Sequence, residues 1–204
     1  MSFLTGSFYP LIFGRHSVRL FSAQPVADDV VRRILDAAVH APSAHNRQPW
    51  RFVAVRQGDL RSRLADDMAE RFRSDLRADD LAEAAIDLQV NRARKRLAEA
   101  PVAVIVCMTM EGMDVYPDER RQSAERTMAI QSAALAGGHI LLAAEAEGLG
   151  ACWLCGPLFV PETVRGGLGL PDDWEPQALI LIGHTEGTPR ITNRRPVDEV
   201  TQWR

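Results

Sequence analysis

The 204-residue sequence predicts one α+β domain. Two runs of β-formers, Pro101 to Met108 and Gln177 to Gly183, are too uniformly apolar for edges and read as central strands. Between them, Glu119 to Glu147 has the length of a long helix crowded with small residues: Ala129, Ser132, Ala133, Ala134, Ala136, Gly137, Gly138. No linker, internal repeat or low-complexity tract divides the chain.

In chain order, Phe8 to Phe13 is apolar but interrupted by Pro10, and reads as an arm that packs on another surface. Val26, Val30, Ile34 and Leu35 recur at helical spacing, so Asp28 to His40 is expected to be a helix. Asp28 and Asp29 suit its first turn, where the macrodipole favours negative charge. A loop follows at Ala41 to Trp50, A-P-S-A-H-N-R-Q-P-W, because Pro42 cannot continue a helix and pushes Ala41 towards extended geometry. Arg51 to Arg56 is then a short strand, and Asp59 to Leu76 and Asp80 to Glu99 read as solvated helices. Tyr116-Pro117-Asp118 turns the chain into the long helix. Its two adjacent glycines cost roughly 1 kcal/mol each against alanine, so a second helix or a ligand is expected to come close there. Gly148 and Gly150 end it. Ala151 to Leu154 is a short strand and Pro161 to Leu168 a helix closed by Gly169 and Pro171. The tail, Thr188 to Arg204, carries Arg190, Arg194 and Arg195, then Val200 and Trp203 with little core to join.

Apolar content of 46% and charged content of 25% are those of an ordinary globular domain. A net charge of -3 argues against a general nucleic-acid surface. No apolar run looks like a membrane span, and the N-terminus lacks the basic start of a secretory signal. Three cysteines without an export signal fit a reducing compartment, so the expectation is a cytoplasmic protein.

Three constellations could carry chemistry. Arg15, Ser17 and Arg19 alternate, so an extended segment would aim them from one face, a chelating set for a phosphate. Taken alone, a solvated basic turn explains that triplet better. In the Ala41 loop, five polar side chains fall within six positions (Ser43, His45, Asn46, Arg47, Gln48), although a plain capped connection explains it as well. Glu147 to Pro157 places three glycines around a strand, which lets backbone N–H groups approach a flat ligand. Cys152-x-x-Cys155 has no partner motif for zinc, and both thiols read as buried and inert. No metal site, hydrolase pattern or nucleotide fingerprint is expected.

R-H-S-V-R at Arg15, A-P-S-A-H-N-R-Q-P-W at Ala41, E-G-L-G-A-C-W at Glu147 and N-R-R-P near the C-terminus resemble, in order and spacing, the FMN-dependent nitroreductase family. The resemblance covers nearly the whole chain. It implies a central, mostly antiparallel sheet flanked by helices, a long central helix, exchanged termini, and a homodimer with FMN at the interface. It further implies a ping-pong hydride transfer through flavin N5, with NAD(P)H as donor and a small electron-poor molecule as acceptor.

By the same resemblance, Arg15, Ser17 and Arg194 look like phosphate ligands, with His16 and Arg195 beside them. Arg19 resembles the cation near flavin N1 and the C2 carbonyl. Pro42, Ser43 and Asn46 match a loop contacting the ring from the other subunit. Backbone groups of Cys155 and Gly156 fall opposite N5 and O4. No side-chain acid is required as a catalyst.

R-S-D-L-R-A-D-D at Arg73, Y-P-D-E-R-R at Tyr116, A-E-R-T-M at Ala124 and D-W-E-P-Q-A at Asp173 are similar to the FMN-binding domain of FbiB-type proteins. That likeness implies reduction of a dehydro precursor in biosynthesis of the deazaflavin coenzyme F-420, with Arg47, Arg73 and Arg77 available to an anionic substrate. His45 is followed by Asn46, Arg47 and Gln48 rather than by a second histidine, as in general nitroreductases. A general NAD(P)H-dependent nitro or quinone reductase and a non-catalytic flavin-binding module are the alternatives.

Overall fold

Trp50–Arg56 (β1), Val102–Met108 (β2), Gly150–Leu154 (β3) and Glu175–Gly183 (β4) form one sheet in the computed structural model. The structure describes residues 5–187 and 192–204, so the head of the tail, with Arg190, lies outside the described residues. Strand order is β1-β2-β4-β3 and every pair is antiparallel. The two most apolar runs are thus the two inner strands, as expected.

Their uniform apolarity has a direct cause: both faces of the sheet are covered. Val102, Val104, Val106 and Met108 face one layer, made by Asp28–Ala38 (α2) and Glu119–Ala146 (α5). Ala103, Ile105 and Cys107 face the other, made by Asp59–Ala78 (α3), Glu83–Glu99 (α4) and Pro161–Leu168 (α6). Burial pushes the Cys107 thiol up to about 12, so it is inert at neutral pH.

α5 begins at an Asp118 N-cap, whose carboxylate accepts from the Arg121 N–H. It ends where Gly148 adopts φ 73° and Leu149 N–H reaches the Ala144 carbonyl at 2.8 Å. Contrary to the sequence expectation, an 18-residue window of α5 has a mean hydropathy of 1.3, long and apolar enough to cross a membrane. Ile130, Leu135, Ile140, Leu141 and Leu142, with the alanines, account for that value, and Ala129, Ala133, Ala136 and Ile140 lie fully buried against the sheet.

Within this chain the close approach at the paired glycines comes from a side chain of the sheet. A Cβ on Gly137 would fall 2.2 Å from Cζ3 of Trp153 on β3, whereas one on Gly138 would meet nothing within 4 Å. Gly137→Ala is therefore expected to destabilise by about 1–3 kcal/mol through overpacking. Gly138→Ala should gain about 1 kcal/mol from helix propensity in the isolated chain. Thermal melts of the two variants check the pair.

α3 is less solvated than its charge pattern implied: Arg61 is only 1% exposed. α4 starts at Glu83 rather than Asp80, because Asp80 takes a left-handed φ of 56° in the turn out of α3. At the N-terminus a helix, Thr5–Gly14 (α1), runs through Pro10 instead of breaking there. Tyr9 stacks on Phe13 at 5.8 Å, yet Phe13 is 79% exposed. The tail forms one short turn, Val197–Val200 (α7), and Trp203 is 83% exposed. Both ends leave apolar side chains uncovered.

Candidate functional site

Arg15 to Arg19 lies alongside β3. Val18 N–H donates to the Ala151 carbonyl at 2.9 Å, and Ser17 forms a parallel bridge with Ala151. That contact needs a glycine next door, since a Cβ on Gly150 would sit 2.6 Å from Val18 Cγ2 and from Thr185 Oγ1. Val18 turns inward and is buried, while Ser17 and Arg19 are exposed, in keeping with the predicted alternation.

The cations converge on Cys152. Burial raises the pKa of its thiol, and the guanidiniums of Arg19, Arg96 and Arg15, with the Ser17 hydroxyl, pull the other way. Arg96 comes from α4 and is half-buried. Burial first, then the charges of Arg19 and Arg92, holds its pKa below the usual arginine value. Among the described residues Arg15, Arg19, Arg92 and Arg96 form no salt bridge; nearby, Lys95 meets Glu99 at 3.8 Å. Unpaired like charges at a partly buried position are unfavourable by themselves, and an anion relieves them.

A cavity of about 500 Å³ opens here, walled by His16, Ser17, Arg19, Arg92, Lys95 and Arg96 with Leu20, Phe21, Thr185 and Glu186. His16 Nδ1 lies 3.0 Å from the Gly14 carbonyl, while its Nε2 is buried without a partner. A second cavity of about 410 Å³ adjoins it through Arg96, which lines both. Its walls are apolar (Met68, Phe72, Leu97, Leu154, Phe159) and it reaches Cys155 and Gly156. Sequence reasoning missed Arg92, Lys95 and Arg96, which were hidden in an arginine-rich helix that looked like a solvated face. A basic run ending one turn before a central strand was the only signal.

Other expected site residues lie apart from the two cavities. Pro42, Ser43 and Asn46 belong to the α2–α5 layer: Ala41 is buried there, and Ala44 N–H donates to Ser132 Oγ of α5 at 3.2 Å. They precede β1, whereas the cations flank β3, so roughly 14 Å of sheet width separates the two outer strands. Within one chain the two sets therefore stand at opposite edges of the sheet. Arg194 donates to its near neighbours Thr192 and Asn193, and neither it nor Arg195 lines either of these two cavities. Cys155, expected to be buried, is exposed, and its sulfur accepts from the Trp153 indole N–H at 3.2 Å. Arg47, Arg73 and Arg77 are each occupied, by Asp114 at 2.6 Å, Asp87 at 2.6 Å and Glu83 at 2.7 Å.

Glu147, the first residue of the glycine-rich motif, faces Arg33 of α2, which also holds Asp29. Hydrogen bonding to Arg33 holds the carboxyl groups of Glu147 and Asp29 below their ordinary values. Such groups stabilise above the ordinary carboxylate range, and the effect is lost as pH falls through the lowered values. Thermal melts of wild type and Arg33→Ala are expected to differ at pH 7 and to converge as the pH falls below the ordinary carboxylate range.

The profile of the nitroreductase family matches residues 12–184. A Thermus thermophilus protein named NADH dehydrogenase is 32% identical, covering 93% of this chain and 92% of its own length. A 5,6-dimethylbenzimidazole synthase from Rhodospirillum rubrum is 34% identical over 83% of this chain and 77% of its own. A nitroreductase candidate from Desulfovibrio desulfuricans, solved in complex with FMN, superposes with a TM-score of 0.74 at 27% identity. It covers 96% of this chain and 95% of its own.

Proposed function

Because the chain belongs to the nitroreductase family, we propose that it is an FMN-dependent oxidoreductase whose flavin sites are shared between two copies. One observation carries this: Arg15, Arg19, Arg92 and Arg96 converge without carboxylate partners beside an apolar cavity. A ligand with a phosphate at one end and a flat, mostly apolar ring at the other answers both halves.

Arg15 and Ser17 would hold the phosphate with forked and hydroxyl donors. If His16 Nδ1–H donates to Gly14, the orphan Nε2 is left as an acceptor, suited to a hydroxyl of the ribityl chain. Arg19 and Arg96 would set positive charge at the N1–C2 edge, where reduction adds negative charge. Backbone N–H groups at Cys155 and Gly156 would face N5 and O4, at the mouth of the apolar cavity. Bound FMN supplies hydride acceptance and donation at N5.

Pro42, Ser43 and Asn46, held on the opposite edge of the sheet, would reach the ring of a second copy. The uncovered aromatics of α1, the open space at Gly138 and exposed Trp203 are surfaces such a copy would cover. The same copy would bring Arg194 to a phosphate, with Arg195 beside it.

NAD(P)H is the proposed donor, in line with the dehydrogenase named among the relatives. For the acceptor, a nitroaromatic or quinone fits better than an anionic coenzyme F-420 precursor, since Arg47, Arg73 and Arg77 are already neutralised. Family membership leaves the acceptor open, as a synthase among the relatives makes plain.

The test is direct. Purified protein should bind FMN, and saturating flavin at about 1,000 times Kd should stabilise the fold by about 4 kcal/mol. NADH or NADPH should then bleach the flavin, and menadione or a nitroaromatic should restore its colour. A chain that binds no FMN would end the proposal. Saturation of the dehydro precursor by the reduced enzyme would reinstate the F-420 role.

A further inference from the structure

The loop that connects α2 to β1 is bent into a rarely used backbone shape. His45, Asn46 and Gln48 adopt φ of 49°, 54° and 51°, three left-handed residues within four positions and none of them glycine. Each costs free energy that the surroundings must offset. The offset comes largely from α5 and the turn before it. Ala44 N–H donates to Ser132 Oγ at 3.2 Å, and Gln48 N–H to Ser43 Oγ at 3.1 Å. Arg47 Nη2 donates to Asp114 Oδ1 at 2.6 Å, and Asp114 N–H in turn donates to Glu125 Oε1 at 3.1 Å.

Glu125 is the unusual member. It is fully buried on α5, its second oxygen has no partner, and no cation reaches it. Burying a carboxylate this way is unfavourable, so a group that merely filled space would be better apolar. What the carboxylate does is hold the Asp114 backbone. Asp114 then presents its own carboxylate to Arg47, at the centre of the strained loop. Glu125 and Ser132 are two helical turns apart and lie on one face, so α5 grips the loop at two points.

We infer that Glu125 is a positioning residue, which acts through Asp114 and Arg47 to set the Ser43–Gln48 loop against the flavin of a second subunit. The inference rests on the proposed function for that last contact. Neither Glu125 nor Asp114 touches the flavin in this arrangement; they decide where Ser43 and Asn46 stand. Because α5 also carries the open face around Gly138, formation of the dimer and shaping of the loop would use one rigid element.

The test measures FMN affinity of the apoprotein, by quenching of flavin fluorescence, and the visible circular dichroism of the bound flavin. Glu125→Ala and Arg47→Ala should each weaken FMN about tenfold and alter the dichroism. The double variant Arg47→Ala/Glu125→Ala should lose no more than the worse single one, since both break one chain of contacts. Glu125→Gln keeps an acceptor for the Asp114 N–H and should stay within about threefold of wild type. Reversal of the exposed pair, Arg47→Asp with Asp114→Arg, should recover most of what Arg47→Asp alone loses. This reversal keeps the inference testable if Glu125→Ala fails to fold. Wild-type affinity and dichroism in Glu125→Ala would overturn the inference, as would losses that multiply in the double variant or a reversal that recovers nothing. A wild-type chain that bound no FMN would instead sink the proposed function itself.

Discussion

Arg96→Ala is expected to weaken FMN binding about 10- to 100-fold, the effect of losing one hydrogen bond to a charged ligand at about 1.5–3 kcal/mol. The same substitution should leave the apoprotein as stable as wild type or more so. In the free chain Arg96 is half-buried beside Arg19 and Arg92, and among the described residues none of the three forms a salt bridge, although Glu99 and Glu186 line the same cavity. Removing one relieves repulsion; removing it when an anionic ligand is present removes attraction. Opposite signs for the two measurements separate a binding residue from a merely structural one. Isothermal titration with FMN and melts of the apoprotein give both. Arg96→Lys, which keeps the charge but not the fork, should fall between. The loss should shrink as ionic strength rises, because screening weakens the whole cationic cluster. Unchanged affinity in Arg96→Ala would place the flavin elsewhere.

The fold was legible because apolar pattern and burial coincide in it. β2 and β4 are buried on both faces and read as unbroken β-former runs, and α5 reads as a long helix by length and by its terminal signals at Asp118 and Gly148. The candidate site was less legible. The alternation of Arg15, Ser17 and Arg19 and the glycines around β3 drew notice, but only the family resemblance made these residues, with Cys155 and Gly156, candidates. Arg96 was not, since charge on a helix looks the same in sequence whether it faces water or a cavity. Only the α3–α4 hairpin, laid on the sheet face that carries Ala103, Ile105 and Cys107, decides that. The pairing of Arg47, Arg73 and Arg77 was equally hidden: Asp114 lies 67 positions from Arg47 and reaches it across the fold. Pro10 misled in the other direction. Its apolar neighbours form a helix through it, so a local breaker signal yielded to the surroundings.

Arg61→Ala is expected to be the most damaging single change to stability, at about 3–5 kcal/mol, or roughly 10 °C in Tm for a chain of this size. Arg61 is the largest fully buried side chain, although its place in D-L-R-S-R-L gives no hint of burial. Burial pulls its pKa down to about 10, so the guanidinium is still charged at neutral pH. Its Nη2 donates to the Ala98 carbonyl at 2.9 Å, and Gln57 Nε2 donates to the Glu99 carbonyl at 2.8 Å. Between them they cap the C-terminus of α4, where a cation also meets the negative end of the helix dipole. Truncation to alanine leaves a void, and the Ala98 carbonyl loses its donor. Arg61→Met fills the volume and removes an unpaired buried charge, and should stay within about 1 kcal/mol of wild type. α4 is also the helix that presents Arg92, Lys95 and Arg96. Arg61→Ala should therefore weaken FMN binding, because the void beside α4 lets that last turn fray, while Arg61→Met, which loses the same donor but fills the void, should bind nearly as wild type. Equal melting temperatures for Arg61→Ala and wild type would show that the α4 terminus does not depend on this guanidinium, and the link between core and site would have to run elsewhere.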